Sequence, residues 1–446
     1  MARRNLYVRF SLFLAPLIIT IFVQEVSIQW ITAGLARLPF SVQSLAAFGL
    51  AWAISSFLTG PLAQTKQLSL VLVERRQSFW VVVSATLMLA GLIVAVQAAT
   101  ALTASGRELL LRLHRVSPAV IDDTQHILAL LLFHPMLKGL AHCLVGPLIR
   151  NHHTRYSSHS AVLGFAAAAL AVLLALRMPA VQARPILLPV MALYASAVME
   201  VLVTGIGVWR HRADIWSTRL HVRSETRPLT YGRLIRFFWP LATMVLMQEF
   251  TRPLINLVIA RQADGELWLA VLAVVYALGQ WPYRWLNETR TLASAFQHLD
   301  PQGRIIRNFN ALAGLVSLLI SMTLFWTPLR NIILLDLVGL EPELASRCVV
   351  PLMIFATFSP IVAVRSWMQG LTLVERRTLA VTPSVAARMS AIVVSVLVLP
   401  SFGFAGAVLG ITTLLTGFTA EAVTLVAILR GPQLLNAIRP GRLREE

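Results

Sequence analysis

Residues 79–104 read FWVVVSATLMLAGLIVAVQAATALTA, 26 positions without a charged side chain. A helix needs about 20 apolar residues to cross roughly 30 Å of bilayer hydrocarbon, so this run commits the chain to a membrane. Comparable runs occur at 161–176, at 311–327 and at 390–400 with its upstream flank. None alternates apolar and polar residues, which excludes the strands of a membrane barrel and leaves helices. Composition agrees: 57% of the 446 residues are hydrophobic, 13% are charged and the mean hydropathy is +0.72, well outside soluble globular usage.

Twelve spans are expected, at about 7–33, 42–64, 78–104, 124–147, 157–177, 186–209, 233–261, 267–296, 306–328, 343–369, 375–400 and 404–430. The one sizeable loop, 210–232, divides an N-terminal six-helix bundle (1–209) from a C-terminal one (233–430), which a tail follows at 431–446. The halves echo each other. Pro16-Leu17 precedes Gln24-Glu25 as Pro240-Leu241 precedes Gln248-Glu249, an offset of 224 residues. Six is an even number, so both halves enter the membrane in the same sense and form a parallel repeat. The expected fold class is an all-α polytopic membrane protein with about 12 transmembrane helices in two parallel-repeat six-helix bundles.

The net charge of +18 has a membrane explanation. Both termini, the central loop and the loops on their side carry 24 of the basic residues, against 8 on the opposite side. This bias places both termini in the cytoplasm and leaves no soluble basic face for a nucleic-acid partner. The opening MARRNLYVRFSLFLAPLIIT has the basic start of a secretory signal, but its apolar stretch continues to about Thr32 and is read as the first span. Cys143 and Cys348 both sit in apolar segments, so neither a disulfide framework nor a cysteine metal site is expected. No Walker, HExxH or GxSxG sequence is present. No enzymatic activity and no cofactor are expected.

Charges at membrane depth carry the functional signal, because each costs about 2.5–3.5 kcal/mol at a helix centre and needs a partner or a wet cavity. Six basic residues remain after the loops are subtracted: Lys138, Arg252, Arg284, Arg347, Arg365 and Arg388. Glu25, Glu200, Glu249, Glu288 and Glu421 accompany them. Arg365 lies 11 residues before Arg376 and Arg388 lies 12 after it, which puts both about 16–18 Å from the cytoplasmic edge. Glu249 and Arg252 are i,i+3 neighbours and Arg284 and Glu288 are i,i+4, so each pair could neutralise itself, while Asn256 extends the polar face beyond Arg252. Arg365 and Arg388 have no acid at helical spacing and are the stronger ligand candidates. His134, Lys138 and His142 share a face in span 4; a lysine between two histidines repels a cation, so a polar stripe is expected there rather than a metal site.

The stretches FFWPLATMVLMQEFTRPLINLVIAR (237–261), WPYRWLNETR (281–290), FWTPL (325–329), RCVVPLMIF (347–355), VAVRSWMQG (362–370), TPSVAARMSAIVVSVLVLPSFGFAGAVLG (382–410) and LTGFTAEAVTLVA (415–427) resemble the progressive ankylosis (ANKH) family. FGLAWAISSFLTGPL (48–62) and LLPVMALY (187–194) extend the likeness, more weakly, into the first half. The resemblance implies a fold like the multidrug and lipid-flippase exporters. It also implies efflux of pyrophosphate, ATP or related nucleotides, and citrate. Arg252, Asn256, Glu288, Arg290, Arg365, Arg388 and Glu421 look like shared family positions. Arg284 stands where the animal proteins carry a small residue and Lys138 where they carry an acid. The long acidic tail of the animal proteins is missing, as in a compact bacterial member residing in the inner membrane.

The expected activity is therefore secondary export of a small polyanion by alternating access. Arg252, Asn256, Arg284, Arg365, Arg388 and Lys138 are expected to bind substrate, and Glu25, Glu249, Glu288 and Glu421 to set charge balance or couple to a proton or counter-ion. Membrane lipid is the surrounding partner, and the oligomeric state is open. Two alternatives also fit: a flippase for a lipid-linked pyrophosphate, which also needs a cationic cavity, and a non-transporting membrane scaffold, which has no solvent path to the arginines.

Overall fold

Backbone N–H and C=O groups in hydrocarbon have no water to bond, so apolar runs of this length close their hydrogen bonds within a helix. The computed structural model describes residues 2–114, 117–216, 229–259, 261–262, 264–300, 303–338, 340, 342–375, 379 and 381–438. Residues 217–228 of the expected linker and 439–446 of the expected tail, with their arginines, lie outside these, as do Arg376 and Arg377. All regular structure among the described residues is helical. The principal helices are α1 (Ala2–Leu35), α2 (Ser41–Ala63), α3 (Arg76–Leu102), α4 (Pro118–Leu130), α5 (His134–Arg150), α6 (Arg155–Ala175), α7 (Leu187–Arg210), α8 (Tyr231–Ile259), α9 (Gly265–Gly279), α10 (Arg304–Trp326), α11 (Pro342–Ala356), α12 (Phe358–Val374), α13 (Val381–Val398) and α14 (Gly406–Ile438).

Local chemistry sets several of these boundaries. Pro118 opens α4 where its missing N–H is not needed, and the Ser117 hydroxyl accepts from Val120 N. Asp300 Oδ2 accepts from Ile305 N at 2.7 Å and Ile306 N at 2.9 Å, satisfying the first turn of α10. Gly303, at φ 64°, makes the left-handed entry into that helix.

Nine helical spans among the described residues are long and apolar enough to cross a membrane, and α4 with α5, bent by 49°, makes a tenth. The two remaining expected spans depart for identifiable reasons. Helix α8 has 29 residues, but Gln248, Glu249, Arg252 and Asn256 interrupt its apolar run. The expected span at 267–296 is not one helix: α9 ends at Gly279, and the chain continues through Trp281–Arg284, a 3-10 turn at Trp285–Thr289 and Arg290–Phe296. Pro282 stands at the start of the first short piece, where a proline is tolerated.

The chain forms two compact units, Met1–Ala242 and Thr243–Glu446. Helix boundaries in the second repeat those in the first at the 224-residue offset. Helix α1 ends at 35 and α8 at 259, α2 begins at 41 and α9 at 265, and α3 ends at 102 and α10 at 326. The fourth span is broken in both: α4 and α5 begin at 118 and 134, α11 and α12 at 342 and 358. Packing repeats as well, since α5 and α6 lie on α7 in the first unit as α12 and α13 lie on α14 in the second.

Each unit is apolar outside as well as inside. On α3, Met88, Leu92 and Val96 are exposed at four-residue spacing while Val82, Thr86, Ala90, Ile93 and Gln97 are buried. An exposed apolar stripe backed by a face that includes buried polar residues is the arrangement of a helix bordering lipid. The core of the second unit is built on Val275, Leu352, Phe355, Phe358, Val362, Ile392 and Leu409. It lies beside the site described next.

Candidate functional site

Glu421, on α14, is fully buried and collects four donors. Arg388 Nη1, from α13, donates to its Oε2 at 2.8 Å, and Arg365 Nη1, from α12, lies 3.5 Å from the same oxygen. Gln369 Nε2 and Gln248 Nε2 donate to Oε1 at 3.1 Å and 3.4 Å. Helical spacing makes this possible: Gln369 is one turn beyond Arg365 on α12, and Phe418 one turn before Glu421 on α14. The Phe418 ring carries both guanidiniums, with Arg365 Cζ at 4.5 Å and Arg388 Cζ at 4.3 Å from its centroid. Arg365 Nη2 donates to Asn287 Oδ1 at 2.7 Å, which ties the cluster to the 3-10 turn.

Two cations against one anion leave this cluster positive, and its surroundings add to the imbalance. The buried Tyr283 phenol lies within electrostatic range of Arg252, Arg284, Arg365 and Arg388. Arg290 is within range of Arg365 and of Glu288. Among the described residues, these groups bring Arg252, Arg284, Arg290, Arg365 and Arg388 into one neighbourhood with Glu288 and Glu421. The Nε atoms of Arg290, Arg365 and Arg388 are buried with no hydrogen-bond partner among the described residues. A guanidinium fork can offer such donors to carboxylate or phosphate oxygens.

The other candidate residues are placed as follows. Arg252 turns its guanidinium onto the Tyr276 ring, 4.8 Å from the centroid, while Glu249 is exposed. An aromatic series joins the two arginine positions: Tyr276 contacts Phe355 edge-on at 6.4 Å, Phe355 stacks on Phe358 at 4.5 Å, and Phe358 meets Phe418 at 5.4 Å. Asn256 Oδ1 is buried without a partner among the described residues. Arg284 is exposed and Glu288 buried. The change from α to 3-10 winding directly after Arg284 alters the i,i+4 geometry assumed for them. Glu25 is half-buried on α1.

Lys138, in the first unit, donates its ammonium to Glu200 Oε2 at 2.5 Å. Gly164 on α6 permits this, because a Cβ there would lie 3.1 Å from Glu200 Cγ. His134 is buried between the Trp52 and Tyr194 rings, each 6.2 Å away. The repeat offers a parallel: Lys138 on α5 pairs with Glu200 on α7 as Arg365 on α12 pairs with Glu421 on α14. Both are fourth-to-sixth-span pairs.

Gln369, Gln248, Asn287 and Phe418 were missed as site residues. Gln248 was visible only as part of the repeat. Gln369 and Phe418 sit one turn from charged residues in their own helices, a signal that could have found them.

Residues 2–317 match the progressive ankylosis protein (ANKH) family, so Arg365, Arg388 and Glu421 lie beyond the matched range. In three dimensions the chain is similar to the eukaryotic MATE transporter AtDTX14, at 14% identity and TM-score 0.74, with 96% of each chain covered. It is similar to the Vibrio cholerae MATE transporter VcmN in its bent form, at 12% identity and TM-score 0.67, covering 97% of this chain and 99% of that one. A Pyrococcus furiosus transporter of the MOP superfamily, whose binding pocket is described as having reverse polarity, matches at 15% identity and TM-score 0.68, covering 98% of this chain and 97% of that one. At these identities the likeness concerns the fold. The chain is an integral, multi-pass membrane protein that belongs to the progressive ankylosis protein family and has the MATE transporter fold.

Proposed function

We propose that this transporter exports a small polyvalent anion, of the class of pyrophosphate, ATP or citrate, by alternating access, and that Arg365 and Arg388 are its principal ligands. The observation that carries this reading is that two buried guanidiniums, Arg365 and Arg388, share the one buried carboxylate of Glu421, with Arg252 and Arg284 within electrostatic range of the adjoining Tyr283. A single buried cation needs only one acid to balance it, whereas removing the hydration shell of a polyanion takes several guanidinium forks. Glu421 holds Arg365 and Arg388 in position in the absence of substrate. Anion oxygens compete with it for both arginines, and Gln369 and Gln248 keep the displaced carboxylate hydrogen-bonded. A proton or counter-ion completes the charge balance at that step. Arg252 and Arg284 widen the positive region, and both termini face the cytoplasm, as the loop charges require. The reverse polarity described for the binding pocket of the Pyrococcus furiosus transporter is in keeping with a different function on this fold.

The test is counterflow of labelled citrate, ATP and pyrophosphate in proteoliposomes. Arg365→Ala and Arg388→Ala should each abolish uptake of the transported anion while the protein still inserts and remains monodisperse. Transport undiminished in both variants would overturn the assignment.

A further inference from the structure

Apart from the intramembrane charges, one cluster gathers metal-ligating side chains from separate segments. His153 lies in the turn after α5, His211 ends α7, and Asp214 belongs to the short helical turn Arg212–Trp216. One ligand atom from each lies within 4.8 Å of the other two. Asp214 Oδ2 is 3.6 Å from His153 Nε2 and 3.6 Å from His211 Nδ1. The two imidazole rings stack with centroids 3.8 Å apart.

The backbone holds these groups in register. His153 N donates to Leu148 O at 2.8 Å, and His211 N donates to Gly207 O at 3.1 Å, so both histidines are fixed to helix ends. His211 and Asp214 are three residues apart within one turn, which directs both side chains to the same side. His152 takes a left-handed conformation at φ 62°, uncommon for a residue other than glycine, and the chain turns there so that His153 faces His211. The Tyr156 ring meets His211 edge-on at 5.4 Å and backs the pair.

We propose that His153, His211 and Asp214 form a binding site for a divalent transition metal of the zinc class, linking the turn after α5 to the segment that leaves α7. Two imidazoles and a carboxylate are a three-ligand zinc set that leaves the fourth position to water. Ligand atoms about 2.0–2.1 Å from a shared tetrahedral ion lie about 3.4 Å from one another, and the two carboxylate-to-imidazole distances of 3.6 Å are close to that edge. Binding a shared ion requires the stacked rings and the Asp214 carboxylate to rotate until their donor atoms face one point. Nitrogen and oxygen donors without sulfur favour zinc, cobalt or nickel over the oxygen-seeking magnesium and calcium. A bound ion would tie the short helical turn Arg212–Trp216 to the turn after α5. The site does not depend on the identity of the transported anion.

The test uses untagged, full-length protein in detergent, stripped with a chelator and titrated with Zn²⁺ and, as a visible probe, Co²⁺. Wild type should bind one equivalent, show the d–d absorption of a low-coordinate Co²⁺ site, and gain thermal stability with Zn²⁺. His211→Ala and Asp214→Asn should each weaken Zn²⁺ binding at least tenfold. Asp214 is 65% exposed, so its variant keeps the test open if His211→Ala does not fold. The proposal is overturned if wild type binds no more tightly than a His153→Ala, His211→Ala, Asp214→Asn triple variant, or if stoichiometry and spectrum survive in both single variants.

Discussion

Arg388 Nη1 donates to Glu421 Oε2 at 2.8 Å, while Arg388 Nε, in the same guanidinium, is buried without an acceptor among the described residues. Arg365 Nε is in the same condition. A buried donor left unsatisfied costs about 1–3 kcal/mol, so both guanidiniums are held in strained solvation by the carboxylate that orients them. In the proposed function these donors are what the substrate's oxygens meet.

Glu421→Gln tests that arrangement. The substitution leaves Arg365 and Arg388 facing each other with neutral acceptors only, and removing one partner of a buried charge cluster costs about 3–5 kcal/mol. The thermal midpoint in detergent should fall. Millimolar pyrophosphate or citrate should restore more of it in the variant than in wild type, because the anion then supplies the missing charge. A variant as stable as wild type would show that the carboxylate does not hold the arginines.

Much of this was legible in the sequence. The offset between Pro16-Leu17 and Pro240-Leu241 is the same 224 residues that separates the helix boundaries, because a repeat preserves spacing even where identities have drifted. Hydropathy located the helices, since length and polarity decide what can cross hydrocarbon. Pairing was less accessible. Glu421 lies 33 residues from Arg388 and 56 from Arg365, and periodicity reports only neighbours within one helix, so the two arginines looked unpartnered. The acid that partners Lys138 was out of reach for the same reason, lying 62 residues away. The 3-10 turn after Arg284 was hidden because Trp285–Thr289 has no residue that forbids an α-helix.

Phe418 is a second test. Its ring supports both guanidiniums, and each desolvated cation–π contact is worth about 0.5–2 kcal/mol. Phe418→Leu keeps the apolar volume approximately but removes both contacts, so a loss of about 1–4 kcal/mol in stability is expected. Phe418→Tyr should retain most of it. Comparing thermal midpoints of the two variants separates ring electrostatics from bulk: equal losses would mean that Phe418 acts through shape alone.

Gly314 controls how close α10 comes to α12. A Cβ built there would lie 2.7 Å from Ala363 Cβ, and alanine has no flexible end that could move aside. The helices must part, at about 1–3 kcal/mol for overpacking, and Arg365 is two residues beyond the contact. Gly314→Ala should therefore lower both the thermal midpoint and the apparent affinity for the transported anion. Gly49→Ala is the matched control, because nothing lies within 4 Å of the added methyl and helix propensity favours alanine. Weakened anion binding in both variants would rule out the contact with Ala363 as the cause.

Lys138 and Glu200 form the sharpest test of whether the first unit contributes a ligand. Glu200 is 7% exposed and Lys138 is its ammonium partner at 2.5 Å. Lys138→Gln alone leaves a buried carboxylate without its cation, and Glu200→Gln alone leaves the cation, so each single variant should lose about 3–5 kcal/mol. Replacing both exchanges an ion pair for two amides that can hydrogen-bond each other, and the double variant should recover much of the loss. If the pair is structural, anion counterflow in the double variant should match wild type once insertion is normalised. If Lys138 is itself a ligand, stability would return in the double variant while transport stayed low. Measuring both quantities on the same four proteins separates holding the first unit together from binding the substrate.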